Sequence, residues 1–112
     1  MGLPLRRYGK ELLNALHWML QGHRHTPRKP AGQWRRGAVY VMDTRDPTIA
    51  AYTAPDANDV PALTGELIEW LNTDDGSHPL LRAAMAHVHL VSIHPWADGN
   101  GRMSRSLQTL MI

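Results

Sequence analysis

A chain of 112 residues has room for one domain and not for two. Its 43% hydrophobic content supports a modest single core, its formal charge of +2 is too small to make nucleic acid the default partner, and its lack of cysteine excludes disulfides and thiolate metal sites. Its longest apolar stretches fall well short of the ~20 residues of a membrane helix, and Met1 to Lys10 holds no apolar signal-peptide core, so a soluble, cytoplasmic protein is the expectation.

The first predicted element is a helix over 5–21. Leu5, Leu12, Leu13, Leu16, Met19 and Leu20 recur there at helical spacing, and Gly22 ends the pattern. Residues 22–37 carry two prolines and three glycines and read as a loop. Most of the basic excess precedes residue 37, in Arg6-Arg7, His23-Arg24-His25, Arg28-Lys29 and Arg35-Arg36. No aromatic residues alternate with these cations as a stacking platform for nucleic acid would require, so solvated surface is the simpler reading.

Residues 38–42 and 48–53 have strand composition, and Asp43-Thr44-Arg45-Asp46-Pro47 between them suits a hairpin turn. A second helix follows, with Asn58 or Asp59 as its cap, Pro61 in its first turn, and Leu63, Leu67, Ile68 and Leu71 as its apolar face. After a loop at 72–77, a third helix begins near His78-Pro79 and runs to Ile93. Its expected buried stripe is Leu81, Ala84, Met85, Val88 and Val91, and Pro95 stops it. A fourth helix is expected from Arg102, with Leu107, Leu110 and Met111 on its apolar face. The fold class is therefore all-α, a bundle of about four helices with one β-hairpin. The apolar run reaching Ile112 reads as the middle of an element, so the expectation is a single domain over 1–112, truncated at both ends.

The chemistry concentrates in His94-Pro95-Trp96-Ala97-Asp98-Gly99-Asn100-Gly101-Arg102-Met103-Ser104-Arg105. A helix ends and delivers a histidine at its tip. A glycine-rich turn follows, and a new helix starts with two arginines three residues apart, neighbours on the helix surface. The backbone N–H groups of Gly99, Asn100 and Gly101 would converge at a helix N-terminus, which is an anion cradle, and glycine there lets a phosphate come close. Arg102 and Arg105 add fork-shaped cationic donors for phosphate oxygens, and Asp98 offers the hard oxygen that Mg²⁺ prefers beside nucleotide phosphates.

Each feature alone has an ordinary structural reading: a histidine at a helix end, an Asn-Gly turn, two solvated arginines. Together they resemble the signature of the Fic family: His-Pro, an aromatic, two variable positions, Gly-Asn-Gly-Arg, two more positions and Arg. Seven fixed identities at about one in twenty each make a chance match roughly one in 10⁹ per start position. The resemblance extends to Ala31-Gly32-Gln33-Trp34-Arg35, similar to the Gly-x-aromatic-Arg segment before that family's flap hairpin. It extends also to His78-Pro79-Leu80-Leu81-Arg82-Ala83-Ala84 and His87 on the helix leading to the motif. It covers roughly residues 5–112, strongest from 78 onward.

The resemblance implies a Fic-like helical bundle that transfers AMP from ATP to a Ser, Thr or Tyr hydroxyl of a target protein. By it, His94 is the general base, and Asp98 holds Mg²⁺ on the α- and β-phosphates. Gly99, Asn100 and Gly101 form the anion hole, with the Asn100 side chain also reaching phosphate. Arg102 contacts the β- or γ-phosphate and Arg105 the γ-phosphate. Trp96, where most relatives carry Phe, is a buried anchor for the loop. Gly101 stands where relatives that act as kinases carry Lys, which favours AMP transfer over phosphate transfer. The flap residues Val39, Tyr40, Val41 and Tyr52 would dock a target segment by edge-on strand pairing, a sequence-tolerant mode.

Many relatives carry an inhibitory Ser/Thr-x-x-x-Glu-Gly/Asn helix. No Ser or Thr in this chain has Glu four positions on, so an inhibitory partner or a segment outside 1–112 would have to supply it. The alternatives are a non-catalytic nucleotide- or protein-binding module, or transfer of another nucleotide or phosphate-containing group. A metal site on His87, His89 and His94 is disfavoured, because 87 and 89 face different ways on a helix and 87 and 94 lie about two turns apart.

Overall fold

The structure, a computed structural model, describes residues 7–42, 45–46 and 48–112. In chain order its elements are helix α1 (Lys10–Gln21), strands β1 (Tyr40–Met42) and β2 (Ala50–Thr53), and helices α2 (Val60–Leu71), α3 (Pro79–Ile93) and α4 (Asn100–Met111). Short 3-10 turns at Gly22–Arg24 and Ala57–Asp59 follow α1 and precede α2. The mainly helical class with one hairpin is as expected. Leu5 and the turn residues Asp43, Thr44 and Pro47 lie outside the described residues.

The core is one cluster that joins Tyr8, Leu13 of α1, Val60, Leu67, Ile68 and Leu71 of α2, Ala86, Leu90 and Ile93 of α3, Trp96, and Met103 and Leu107 of α4. α3 and α4 form the most extensive helix pair. No helix among the described residues is long and apolar enough to cross a membrane.

Several boundaries and faces differ from the sequence expectation. α1 begins at Lys10, after an extended Gly9, rather than at residue 5. Its buried positions are Leu13, His17 and Gln21, one per turn, while Leu12 and Met19 are exposed. Two of the three residues that α1 buries are therefore polar. Asp59 holds the N-cap position of α2 without a side-chain cap bond, and Asp56 caps the 3-10 turn before it, accepting from the Asn58 N–H at 2.8 Å.

On α3 the expected stripe is overturned. Leu81, Met85 and Val88 are exposed at 55%, 46% and 62%, Ala84 is exposed too, and Val91 is only half-buried. Ala83, Ala86, Leu90 and Ile93 are buried instead. α3 is apolar on two faces, so period alone does not choose between them. The alanine face wins because small side chains let neighbouring helix backbones approach closely, while Leu90 and Ile93 still fill the core. α4 starts at Asn100, two residues before the expected Arg102, and Leu110 on its expected apolar face is exposed while Met103 and Leu107 are buried.

The hairpin is short and exposed on every strand residue. Tyr40 pairs with Thr53 and Val41 with Tyr52, and the register slips between Val41 and Met42. The Ala54 N–H donates to the Val39 carbonyl at 3.1 Å, closing the base of the hairpin.

Candidate active site

α3 ends at His94, whose φ of 49° and ψ of 63° place it in the left-handed region. That conformation is uncommon for a residue with a side chain, and surrounding contacts hold it. The His94 N–H still donates to Leu90, so the residue closes the helix while its chain direction turns. Its ring Nδ1 contacts the Val91 carbonyl. A carbonyl only accepts, so Nδ1 carries the proton, and in the neutral ring Nε2 is left as a base.

Arg35 holds the same corner from behind. It is 3% exposed and donates to four carbonyls: Nε to His94, one terminal nitrogen to Gly37 at 3.0 Å, and the other to Pro55 and to Ile93. Its own N–H donates to the Pro95 carbonyl at 2.8 Å. Gly37 precedes the hairpin and Pro55 follows it. One guanidinium therefore joins both ends of the flap to the carbonyl end of α3, where the helix dipole favours a cation. Burial pushes the Arg35 pKa down from its ordinary value, with Asp56 and then Tyr52 acting in the opposite direction.

The loop after His94 is built around Trp96, which is fully buried. Its indole N–H donates to Asn14 of α1 at 2.8 Å, and its ring stacks on His17 at 4.5 Å with 4° between planes. His17 in turn donates from Nε2 to the Asp98 carbonyl at 2.8 Å and accepts from the Gly32 N–H through Nδ1 at 2.9 Å. Those two bonds require the neutral ring, and burial pushes His17 below its ordinary value, against smaller effects of the Asp98 carbonyl and carboxylate.

Asn100 serves this loop as well. Its amide accepts from the Trp96 N–H at 3.0 Å and donates to the Trp96 carbonyl at 2.8 Å, and the residue is 5% exposed. The side chain expected to reach phosphate makes two hydrogen bonds that shape the turn, while Asn100 also lines the cleft described below.

Gly99 caps α4 with φ of +80°, and a Cβ there would lie 2.6 Å from Cγ of Gln21. Glycine is required both for the backbone conformation and for the close approach. The Gly99 N–H is taken by Asp98 Oδ1 at 2.9 Å, so this donor of the expected cradle is occupied from within the loop. The first donor after it with an in-helix partner is Met103, bonded to the Gly99 carbonyl at 2.9 Å. The N–H groups of Asn100, Gly101 and Arg102 precede it, at the end of α4 that attracts anions.

A cleft of about 510 Å³ gathers these parts. It is lined by His94, Asp98, Gly99, Asn100, Gly101, Arg102 and Arg105, with Val39, Tyr40 and Val41 of the flap on one side. Every residue named for catalysis, nucleotide and metal is brought together there. Tyr52 of the flap is placed differently: its hydroxyl donates to the Ser92 carbonyl and its ring lies 5.7 Å from that of His94. It pins the flap to the end of α3.

Gln21, Arg24 and Lys29 also line the cleft, and nothing in their local sequence points there. The simpler reading of the two cations is solvated surface, because their place in a glycine- and proline-punctuated loop carries no signal that the loop folds back. His87, quoted for the helix before the motif, bonds Gln108 of α4 at 2.8 Å.

The fit of a metal rests on Asp98. One carboxylate oxygen is held by the Gly99 N–H, and the other faces the Gln21 amide at 3.4 Å, too long for a strong bond. Among the described residues no three His, Asp or Glu side chains gather to hold an ion. One carboxylate beside an anion cradle suits Mg²⁺, which commonly takes one or two protein carboxylates and completes its shell with water and substrate phosphates.

Fold and cleft together define a mainly helical domain with a histidine-capped helix facing a cationic helix N-terminus under a β-hairpin. The Fic/DOC family profile matches residues 8–112, and the chain belongs to that family. It is 36% identical over 105 residues to a protein named protein adenylyltransferase Fic from Drosophila virilis, covering 92% of this chain and 19% of the relative. Among solved structures, a Fic family protein from Desulfovibrio desulfuricans superimposes with a TM-score of 0.77 at 34% identity, over 92% of this chain and 30% of that one. Fic-1 from C. elegans gives a TM-score of 0.74 at 28% identity, over 93% and 28%. The chain thus spans about a fifth of the length of the curated relatives it matches.

Proposed function

We propose that this domain transfers AMP from ATP to a hydroxyl group of a target protein. The observation that carries the reading is the His94 tautomer: Nδ1 is tied to the Val91 carbonyl, so Nε2 is the basic nitrogen, in the same cleft as the α4 N-terminus, Arg102 and Arg105. The target oxygen attacks the α-phosphorus while its proton passes to Nε2 of His94. The bond from the α-phosphorus to the bridging oxygen breaks, and pyrophosphate leaves with that electron pair. The N–H groups of Asn100, Gly101 and Arg102 meet charge on the phosphates, and the Arg102 and Arg105 guanidinium groups hold the β- and γ-phosphates.

Asp98 is the residue that would hold Mg²⁺, which when bound neutralises phosphate charge. Tyr40 and Val41 lie beside the cleft, so a target strand pairing with the flap would bring its hydroxyl near His94. A cytoplasmic setting and regulation by an inhibitory partner or segment belong to the same reading.

The test is incubation with ATP labelled at the α- or the γ-phosphate, Mg²⁺ and a protein lysate. Label is expected to reach protein from the α position alone. His94→Ala should abolish that incorporation and keep ATP affinity, since the imidazole acts on the incoming hydroxyl. A His94→Ala protein that keeps most of its transfer activity removes the base assignment. Binding of ATP without any transfer would favour a nucleotide-binding module.

A further inference from the structure

Gln21 is the last residue of α1 and is 3% exposed. Its side chain lies between two functional groups of the motif 77 and 81 positions away. Oε1 accepts from Arg102 at 2.8 Å, and Nε2 points to Asp98 Oδ2 at 3.4 Å. The amide cannot be reversed: the guanidinium offers only donors and the ionised carboxylate only acceptors, so the oxygen must face Arg102 and the nitrogen Asp98. Its Cγ and Cδ press on Gly99, where a Cβ would come within 2.6 and 2.7 Å. The amide is wedged in place from three sides.

Asp98 and Arg102 are four residues apart across the start of α4, a spacing at which opposite charges pair readily. Pairing would neutralise both, and each is needed for something else: the carboxylate for the cation that accompanies ATP, the guanidinium for phosphate. We infer that Gln21 is a positioning residue that keeps Asp98 and Arg102 apart and aimed into the cleft. A neutral amide suits the task because it accepts from the guanidinium and turns its N–H toward the carboxylate without cancelling either charge. An apolar residue would satisfy neither, and a carboxylate would capture Arg102 while repelling Asp98. The inference rests on the proposed nucleotide site, and it concerns the readiness of that site rather than the proton transfer.

The experiment measures MgATP binding by calorimetry and the Mg²⁺ midpoint at fixed ATP, on the whole 112-residue chain. Gln21→Leu is expected to raise the Kd for MgATP about tenfold and to shift the Mg²⁺ midpoint upward, in keeping with the loss of a hydrogen bond to a charged group. In an Arg102→Ala background the same change should alter Kd by no more than about twofold, since there is no guanidinium left to position. Gln21→Glu, which preserves size and polarity, should weaken MgATP binding as well. It should also strengthen Mn²⁺ binding without nucleotide, because it adds a second carboxylate beside Asp98.

If either variant lowers the melting temperature while Kd and the Mg²⁺ midpoint stay within about twofold, Gln21 is a packing residue and the inference fails. An undiminished effect of Gln21→Leu in the Arg102→Ala background overturns it too. A chain that binds MgATP and transfers no label removes the proposed reaction alone, and the binding data still decide the role of Gln21. A chain that binds no nucleotide removes both.

Discussion

His17 donates to the main-chain carbonyl of Asp98 at 2.8 Å, and this bond ties the middle of α1 to the turn that opens α4. The ring makes this bond together with the one that Nδ1 accepts from the Gly32 N–H only while it is neutral. Burial lowers its pKa from 6.5. The unfolded chain therefore takes up a proton that the folded chain refuses. This contribution to stability is complete above about pH 6.5 and declines as the pH falls through the window below it. Denaturant midpoints measured between about pH 7.5 and about pH 5 should fall in the native chain, and the fall should be shallower in His17→Leu. Equal slopes in the two proteins would remove His17 as the titrating group.

Arg35 donates to four carbonyls, and removing it strands them around a buried space. Arg35→Met should cost on the order of 3 kcal/mol by denaturant unfolding, the range for losing hydrogen bonds to a charged group. Arg35→Lys should recover less than half of that, because a single ammonium cannot span the set. A loss under about 0.5 kcal/mol for Arg35→Met, as expected of an ordinary surface change, would show that the corner holds itself.

Gly99 and Gly101 should differ sharply when changed to alanine. At Gly99 the added Cβ meets Gln21 within 2.6 Å and the φ of +80° is unfavourable, so a stability loss of about 1–3 kcal/mol and weaker nucleotide binding are expected. At Gly101 the nearest atom is the mobile end of Arg105 at 3.3 Å, so Gly101→Ala should fold with near-native stability. Thermal melts with and without ATP check both, and similar losses at the two positions would contradict the difference.

Ser104 is fully buried and its hydroxyl has no hydrogen-bond partner among the described residues. Ser104→Ala removes an unpaired polar atom with little change of volume, so stability should rise by about 1 kcal/mol. A drop in melting temperature would mean that the hydroxyl is satisfied in solution, by water for instance.

Arg105 is exposed at the mouth of the cleft, and the proposed role is to hold the γ-phosphate. Arg105→Ala should reduce label transfer from ATP about tenfold, the scale of one lost charge-assisted contact. A rise in transfer would instead place an inhibitory carboxylate on this arginine.

The local features were legible in the sequence because they depend on residues close in the chain. The helices around Leu13, Leu67 and Leu107, the hairpin, and the segment from His94 to Arg105 with its glycine turn all follow from spacing, turn chemistry and charge. What needed tertiary structure was decided by partners distant in the chain. The buried face of α3 differs from the expected one because Leu81, Met85 and Val88 are as apolar as Leu90 and Ile93, and only packing against α2 and α4 selects between them. The Asn100 amide bonds to Trp96 for the same kind of reason: a loop must satisfy its own buried backbone groups. His17, Gln21 and Arg35 carry no local signal, since a polar residue in a helix or loop reads as surface. They can be buried because the Asp98 carbonyl, Arg102 and the end of α3 arrive from 59 to 81 positions away to meet their hydrogen bonds.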